Sequence, residues 1–351
     1  MDTKLQFDLP TAQRLFSIAA RIDRFQGKWE LLEKKENRYL KELRSIATIQ
    51  SIGSSTRIEG ATLSDEEVER LLQKVEMTTF DTREKQEVLG YYEALELVLD
   101  QYDFIEFSES NIQTLHNQLL KFSSRDQHHR GKYKQFSNQV VAIYPDGSKR
   151  TLFRTTDPKE TKQEMDLLID WVQQQLSNDS FHPLFVIGTG IYEFLSIHPF
   201  QDGNGRLSRL LTTLLLLRSG YYFVQYISLE HIVEERKSAY YRALMQAQQY
   251  RGTELEIIHD WMLFFFQCLE TLIQKLETKY SNYLNIGGYL NERQQKLLRF
   301  IKENGVIRIR DAILHFPDTS SSTLKRDLKL LESESLIERT GKGRSTAYRI
   351  Q

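Results

Sequence analysis

Apolar residues return every three or four positions along most of the chain, as in YYEALELVLD (91–100) and LLIDWVQQQL (167–176), the period of a helix with one buried face. Only 17 Gly and 6 Pro interrupt such runs in 351 residues, so the pattern predicts a mainly α protein. One stretch breaks the helical period. From Lys132 to Thr156, KYKQFSNQVVAIYPDGSKRTLFRTT, β-branched and aromatic residues flank PDGS, a turn sequence that joins antiparallel strands, and a β-hairpin is expected there. It ends at TTDPKE, where Thr156 or Asp157 is placed to cap a helix with Pro158 at its first position. Upstream, Ser64 and Glu67 have the spacing of a capping box.

The pattern changes character at NIGGYL, Asn285 to Leu290, where paired glycines follow a long helix, and a separate C-terminal module is expected beyond them. There NERQQKLLRFIKEN, IRIRDAILHF and SSSTLKRDLKLLES read as three short helices, the last with Leu324, Leu328 and Leu331 on one face. LIERTGKGRSTAYRI reads as two strands around a Gly-Lys-Gly-Arg tip. Three helices and such a ribbon resemble a winged helix-turn-helix. Charge now changes the picture: residues 291–351 hold 13 Lys plus Arg against 8 Asp plus Glu, a local net of +5 in a chain whose total is −1. No field of the whole protein draws nucleic acid or membranes, so any such surface is local. Lys325, Arg326 and Lys329 are expected to project from the recognition helix, and Lys342 and Arg344 from the wing, toward phosphates. Winged helices also dock proteins or dimerise, so both a DNA and a protein partner stay open.

At 351 residues the chain exceeds the usual single-domain size, and two or three domains are expected. The single cysteine, Cys268, lies in the apolar helical run WMLFFFQCLE and has no partner for an internal disulfide, which fits core packing in a reducing compartment. The N-terminus lacks a basic region followed by a long apolar core, and LLTTLLLL (210–217) falls far below the roughly 18–20 residues of a membrane span, so a cytoplasmic protein without membrane attachment is expected.

The densest chemistry is HPFQDGNGRLSR, His198 to Arg209. LFVIGTGIYEFLSI brings His198 to the end of a helix that Pro199 breaks, and RLSRLLTTLLLLRSG forms the next helix, closing on Gly220. QDGNG is therefore a loop opening onto a helix N-terminus, where unpartnered N–H groups and the macrodipole attract anions. Gly203 and Gly205 permit unusual backbone angles and close approach of a phosphate. Asn204 is expected to donate to a phosphate oxygen, and Arg206 and Arg209, three apart on one helix face, to clamp further phosphates. Asp202 is a hard oxygen ligand suited to Mg²⁺ beside phosphates. His198, titrating near neutrality, can take a proton from an incoming hydroxyl. The segment lacks the Gly-Lys-Ser/Thr ending of a P-loop, and no second His or Cys sits at zinc-ligand spacing from His198.

HPFQDGNGRLSR resembles, at every defining position, the Fic-family signature His-x-Phe-x-Asp/Glu-Gly-Asn-Gly-Arg-x-x-Arg. The resemblance implies a Fic-type helical core with a β-hairpin flap, and transfer of AMP from ATP to a Ser, Thr or Tyr hydroxyl of a target protein or of the chain itself. In that reading His198 is the base, Asp202 holds Mg²⁺, Gly203, Asn204 and Gly205 bind phosphates, Arg206 and Arg209 fix the outer phosphates, and Phe200 anchors the loop. Ser55-Thr56-Arg57-Ile58-Glu59-Gly60 is similar to the family's inhibitory motif Ser/Thr-x-x-x-Glu-Gly/Asn, which implies that Glu59 pairs with Arg209 and blocks the γ-phosphate. Read without the resemblance, Glu59 is a solvated residue at a helix end and Gly60 its stop.

The resemblance further implies target docking by strand addition at Val140, Val141 and Ala142, with no register fixed, and an adenine site at Tyr240 or Tyr241, with Gln248 where the family often has Asn. It covers roughly residues 107–250, with RGKYKQF at its expected place before the flap. The expected domains are a helical region 1–106 with the inhibitory motif, a catalytic domain with its following helices 107–284, and a winged helix-turn-helix 289–351. A homodimer is compatible with the family. The alternative is a winged-helix DNA-binding regulator whose Fic domain acts mainly on itself as a switch.

Overall fold

The computed structural model describes every residue except 34–37, 74–81, 144–148, 179, 286–289, 334–335, 342–345 and 351. The chain divides into two compact units, residues 1–36 with 40–276 and residues 37–39 with 277–351.

The first unit is helical: α1 (Leu9–Glu33), α2 (Arg38–Ile58), α3 (Asp65–Gln73), α4 (Arg83–Gln101) and α5 (Glu109–Leu119) precede a hairpin of β1 (Gln139–Ile143) and β2 (Lys149–Arg154). After it come α6 (Pro158–Asn178), α7 (Pro183–Ile197), α8 (Asn204–Arg218), α9 (Leu229–Glu235), α10 (Lys237–Gln248) and α11 (His259–Asn285), with α2 and α11 reaching past the unit's limits. Two helices form the centre. Every residue of α7 from Leu184 to Ile197 is buried, and α8 buries all but Gly205 and Arg218. A helix that is apolar all round must be enclosed, and here α6 packs on α7, α7 on α8, and α4 and α5 on α8. That burial accounts for the LLTTLLLL run and fixes the turn between α7 and α8 in space.

Local signals set the element ends. Asp157 Oδ1 accepts from the Lys159 N–H at 3.0 Å and Pro158 opens α6, whereas the Thr156 hydroxyl turns to Glu164 at 3.0 Å. Ser64 and Glu67 form the expected reciprocal pair, at 3.3 and 2.9 Å, ahead of α3. The hairpin is shorter than Lys132–Thr156. It pairs Val140 with Phe153, Val141 with Thr151 and Ala142 with Arg150, with an irregularity between Val140 and Val141, and the PDGS turn lies outside the described residues. Residues 132–138 are not strand because they run beside the α7–α8 turn: Tyr133 bridges Phe200, and the Lys134 N–H donates to Pro199 O at 2.8 Å.

The second unit contains α12 (Glu292–Asn304), β3 (Val306–Arg308), α13 (Ile309–His315), α14 (Ser321–Ser333), β4 (Ile337–Thr340) and β5 (Ala347–Ile350). Its sheet runs β3-β5-β4, antiparallel throughout. The second predicted helix starts late because Val306–Arg308 pairs with β5, turning Ile307 inward between two exposed residues. Ile307 joins Leu297, Ile301, Leu324, Leu328 and Leu331 in one apolar core. Asn291 and Gln294 cap α12 reciprocally, and buried Asp327 accepts from Arg293 at 2.6 and 3.2 Å and from Gln294 at 2.9 Å. Lys325, Arg326 and Lys329 are exposed on α14; Lys342 and Arg344, and residues 286–289 of the NIGGYL boundary, lie outside the described residues. Cys268 is buried. Among the described residues no helix is long and apolar enough to cross a membrane.

Candidate active site

The turn between α7 and α8 carries His198 to Gly203 and is held in an uncommon shape. His198 caps α7 with φ 54° and ψ 59°, the one non-glycine residue of positive φ among the described residues. Such a conformation costs on the order of 1–3 kcal/mol and persists only where its surroundings enforce it. Phe200 is fully buried, stacked on His116 with ring centroids 3.8 Å apart, and anchors the loop as expected. Gly203, at φ 80°, is the N-cap of α8, so the free N–H groups of that helix open onto the turn.

A cavity of about 270 Å³ lies over this helix end. His198, Asp202, Gly203, Asn204, Gly205 and Arg206 line it from below, Glu59 from the end of α2, Asn138 from the foot of the hairpin, and Tyr240, Tyr241 and Leu244 from α10. Most of the sequence-predicted residues thus converge on one space, with four differences, the position of Arg209 behind Glu59 among them. Gln248 does not line the cavity: it is buried and donates to Ser196 Oγ at 2.7 Å, while Leu244, one turn earlier, takes its place on the wall. The Asn204 amide also serves the loop itself, accepting from the Phe200 N–H at 2.9 Å and donating one N–H to Phe200 O at 2.7 Å, which leaves its second N–H unused by the turn. Gly205 is not at positive φ but within α8; its lack of a side chain serves close approach, because a Cβ there would lie 2.2 Å from Glu59 Oε1.

Electrostatics divide the site into a neutral base and a cationic cradle. Burial lowers the His198 pKa to about 4, a departure from the near-neutral titration expected of an exposed imidazole. Nδ1 lies 3.3 Å from Leu195 O, which can only accept, so this contact puts the ring proton on Nδ1 and leaves Nε2 as the proton acceptor. Arg206 is 2% exposed; it sits 3.4 Å from both Glu87 and Asp202, and its Nε and Nη1 have no hydrogen-bond partner among the described residues. Buried orphan donors beside a helix N-terminus are suited to an anion. Arg209 lies behind Glu59 rather than on the cavity wall. Its Nε donates to Ser55 Oγ at 2.8 Å, and its Nη2 donates to Ser55 O at 2.9 Å and to Glu59 Oε1 at 2.8 Å. Glu59 follows the last turn of α2, and Gly60 ends that turn at φ 107°, so helix termination and the Arg209 contact coexist.

Burial alone would raise the Asp202 carboxyl, but Arg206, the Gly203 N–H and Arg83 together hold it below its ordinary value. Its Oδ2 accepts from Arg83 at 2.9 Å and its Oδ1 from the Gly203 N–H at 2.6 Å. Among the described residues no group of three or more His, Cys, Asp and Glu side chains gathers to hold a metal by itself. A single carboxylate beside an anion cradle fits Mg²⁺ that arrives with phosphates.

Sequence reasoning missed the residues that hold the turn. Buried His116 accepts from the Gly131 N–H at its Nδ1, 2.8 Å, and lies 2.9 Å from Asp202 O through Nε2; Lys134 and Asn138 bond the turn's carbonyls; Arg83 and Glu87 reach it from α4. The RGKYKQF segment was the only local signal for any of them.

Residues 106–216 match the Fic/DOC family, and residues 293–346 a DeoR-like helix-turn-helix domain. The chain is 29% identical over 227 residues to a protein adenylyltransferase Fic of Culex quinquefasciatus, covering 61% of this chain and 42% of that protein. It is 30% identical over 182 residues to one of Nematostella vectensis, covering 50% and 39%. It thus spans about two-fifths of the length of these curated relatives. Among solved structures, a Fic family protein from Desulfovibrio desulfuricans G20 matches over 99% of this chain and 97% of that one, with a TM-score of 0.65 at 23% identity. Fic-1 (residues 134–508) of C. elegans covers 77% of this chain and 74% of that one, with a TM-score of 0.61 at 20% identity. The chain therefore carries a Fic/DOC-family domain followed by a DeoR-like helix-turn-helix domain.

Proposed function

We propose that the protein transfers AMP from ATP to a Ser, Thr or Tyr hydroxyl of a target protein or of itself, and that Glu59 holds it in a low-activity state. The observation that carries this reading is the pairing, across one cavity, of a neutral His198 with a helix N-terminus and the buried Arg206. Nε2 of His198 takes the hydroxyl proton as the hydroxyl oxygen bonds to the α-phosphorus and the bond from that phosphorus to the pyrophosphate oxygen breaks. The N–H groups at the start of α8 and Arg206 bind the phosphate oxygens, and Tyr240, Tyr241 and Leu244 take the adenine. Asp202 would hold Mg²⁺, which neutralises charge on the departing pyrophosphate when it is bound. Glu59 occupies Arg209, a second buried arginine, and its carboxylate repels a terminal phosphate seeking the same partner. The two-stranded hairpin keeps the outer edges of β1 and β2 unpaired among the described residues, so Val140, Val141 and Ala142 offer a template for a target strand. The unpaired Cys268 suits a cytoplasmic setting.

The test is parallel incubation of the Glu59→Gly protein with ATP labelled at the α or at the γ phosphorus. Retention of the α label alone on protein supports the reading; retention of the γ label, or of neither, removes it. A second role rests on the exposed Lys325, Arg326 and Lys329 of α14 within the DeoR-like module: docking on duplex DNA, with self-modification as a switch. Duplex binding by the full chain that weakens steeply with salt supports it, and absence of binding at low salt eliminates it.

A further inference from the structure

Four consecutive carbonyls of the α7–α8 turn are tied down from one neighbouring segment. Ile197 O accepts from Lys134 Nζ at 2.9 Å, His198 O from Asn138 Nδ2 at 3.4 Å, Pro199 O from the Lys134 N–H at 2.8 Å, and Phe200 O from Asn138 Nδ2 at 2.8 Å. Lys134 is 3% exposed. Its ammonium spends its other contacts on Asn138 Oδ1 at 3.1 Å and Thr155 Oγ1 at 3.0 Å, and no carboxylate pairs with it among the described residues. Thr155 Oγ1 in turn donates to Asn138 O at 2.9 Å.

A buried ammonium bound only by neutral acceptors is costly, and burial accordingly pulls its pKa down to about 8. An apolar side chain of the same length would fill the space without that cost, so three-way hydrogen bonding is what the lysine adds. The three partners have a common logic. Asn138 immediately precedes β1 and Thr155 immediately follows β2, so they are the two feet of the hairpin, and Ile197 precedes the left-handed His198.

We infer that Lys134 is a positioning residue that, with Asn138, locks both feet of the β1–β2 hairpin to the strained backbone of His198. The strand that presents a target hydroxyl and the base that takes its proton then move as one unit, and a target seated on the hairpin is in register with Nε2. The inference deepens the transfer reading and rests on it for its catalytic consequence; the clamp itself stands on geometry alone.

The test compares Glu59→Gly with Glu59→Gly/Lys134→Met and Glu59→Gly/Lys134→Gln, reading amide hydrogen exchange of residues 196–201, ATP affinity and the rate of label transfer. Lys134→Met is expected to raise exchange at 196–201 at least tenfold, leave exchange in the second unit unchanged, keep ATP affinity within about threefold and lower kcat by about 100-fold, the loss that a displacement of about 1 Å brings. Lys134→Gln, which keeps two N–H donors, gives smaller changes in the same directions and serves if the methionine variant does not fold. Parental exchange at 196–201 overturns the clamp even if the Glu59→Gly parent transfers nothing, so the two readings fail separately. Raised exchange with kcat within about threefold of the parent overturns the positioning role.

Discussion

Replacing Glu59 by glycine is expected to raise the transfer rate about 30-fold. Glu59 Oε1 lies 2.8 Å from Arg209 Nη2, with the glutamate side chain 35% and the arginine 8% exposed. A charge-assisted bond of this kind contributes about 1.5–3 kcal/mol, and the exposure of Glu59 favours the lower part of that range, about 2 kcal/mol. At 1.4 kcal/mol per tenfold, about 3% of molecules then leave Arg209 open to a terminal phosphate, and removal of the carboxylate opens the rest. Arg209 does not become an orphan in the variant, because Ser55 still accepts from its Nε and Nη2. The fold should therefore hold. The assay is the initial rate of α-labelled AMP incorporation at saturating ATP and Mg²⁺, with Glu59→Gln, which keeps the shape and loses the charge, as an intermediate. A rate at or below that of the wild type in a folded Glu59→Gly protein that binds ATP would refute the reasoning.

Four further outcomes are expected. His198→Ala in the Glu59→Gly background removes transfer while ATP affinity, measured calorimetrically, stays within about threefold, because the base touches the hydroxyl rather than the phosphates; loss of both would contradict that role. Asn204→Ala severs both bonds to Phe200 and is expected to cost about 2 kcal/mol, read as a lower urea midpoint with an unchanged slope. Acid should weaken the fold. Burial lowers the pKa of fully buried His116 from 6.5 to about 4, so between these values the unfolded chain binds more protons, and the stability present above pH 6.5 is lost as pH falls toward 4. The loss is of the order of 3 kcal/mol, checked by urea unfolding at pH 7 and 4.5; equal midpoints would contradict it. His198 shares the low value, so transfer should not fall off around pH 6.5 as it would for an exposed imidazole base.

What the sequence made legible was local. His198 to Arg206 carry their chemistry within one turn and one helix end, so spacing alone brings His198, the glycines and Arg206 together. Ser55 and Glu59, one helical turn apart, were legible through their resemblance to the family's inhibitory motif and not through spacing, because their partner Arg209 lies some 150 residues away. The helical period likewise marked α4, α6 and α14. What stayed hidden acts on backbone atoms across long separations. Lys134 and Asn138 bond carbonyls some 60 residues away, and His116 bonds the Asp202 carbonyl 86 residues on, and a carbonyl leaves no trace in residue type. Asn204 was read for a ligand alone because a polar side chain between glycines looks available, and its part in holding the tight turn through Phe200 stayed hidden. β3 was hidden because three residues are too few to show alternation beside a helix, and its partner β5 lies some 40 residues downstream.

The central claim is tested most directly by intact mass after incubation with Mg²⁺ and ATP of wild type, Glu59→Gly and Glu59→Gly/His198→Ala. The account predicts that Glu59→Gly alone gains the mass of AMP in quantity. A gain equal in all three, or none in any of them even with candidate target proteins present, would contradict it.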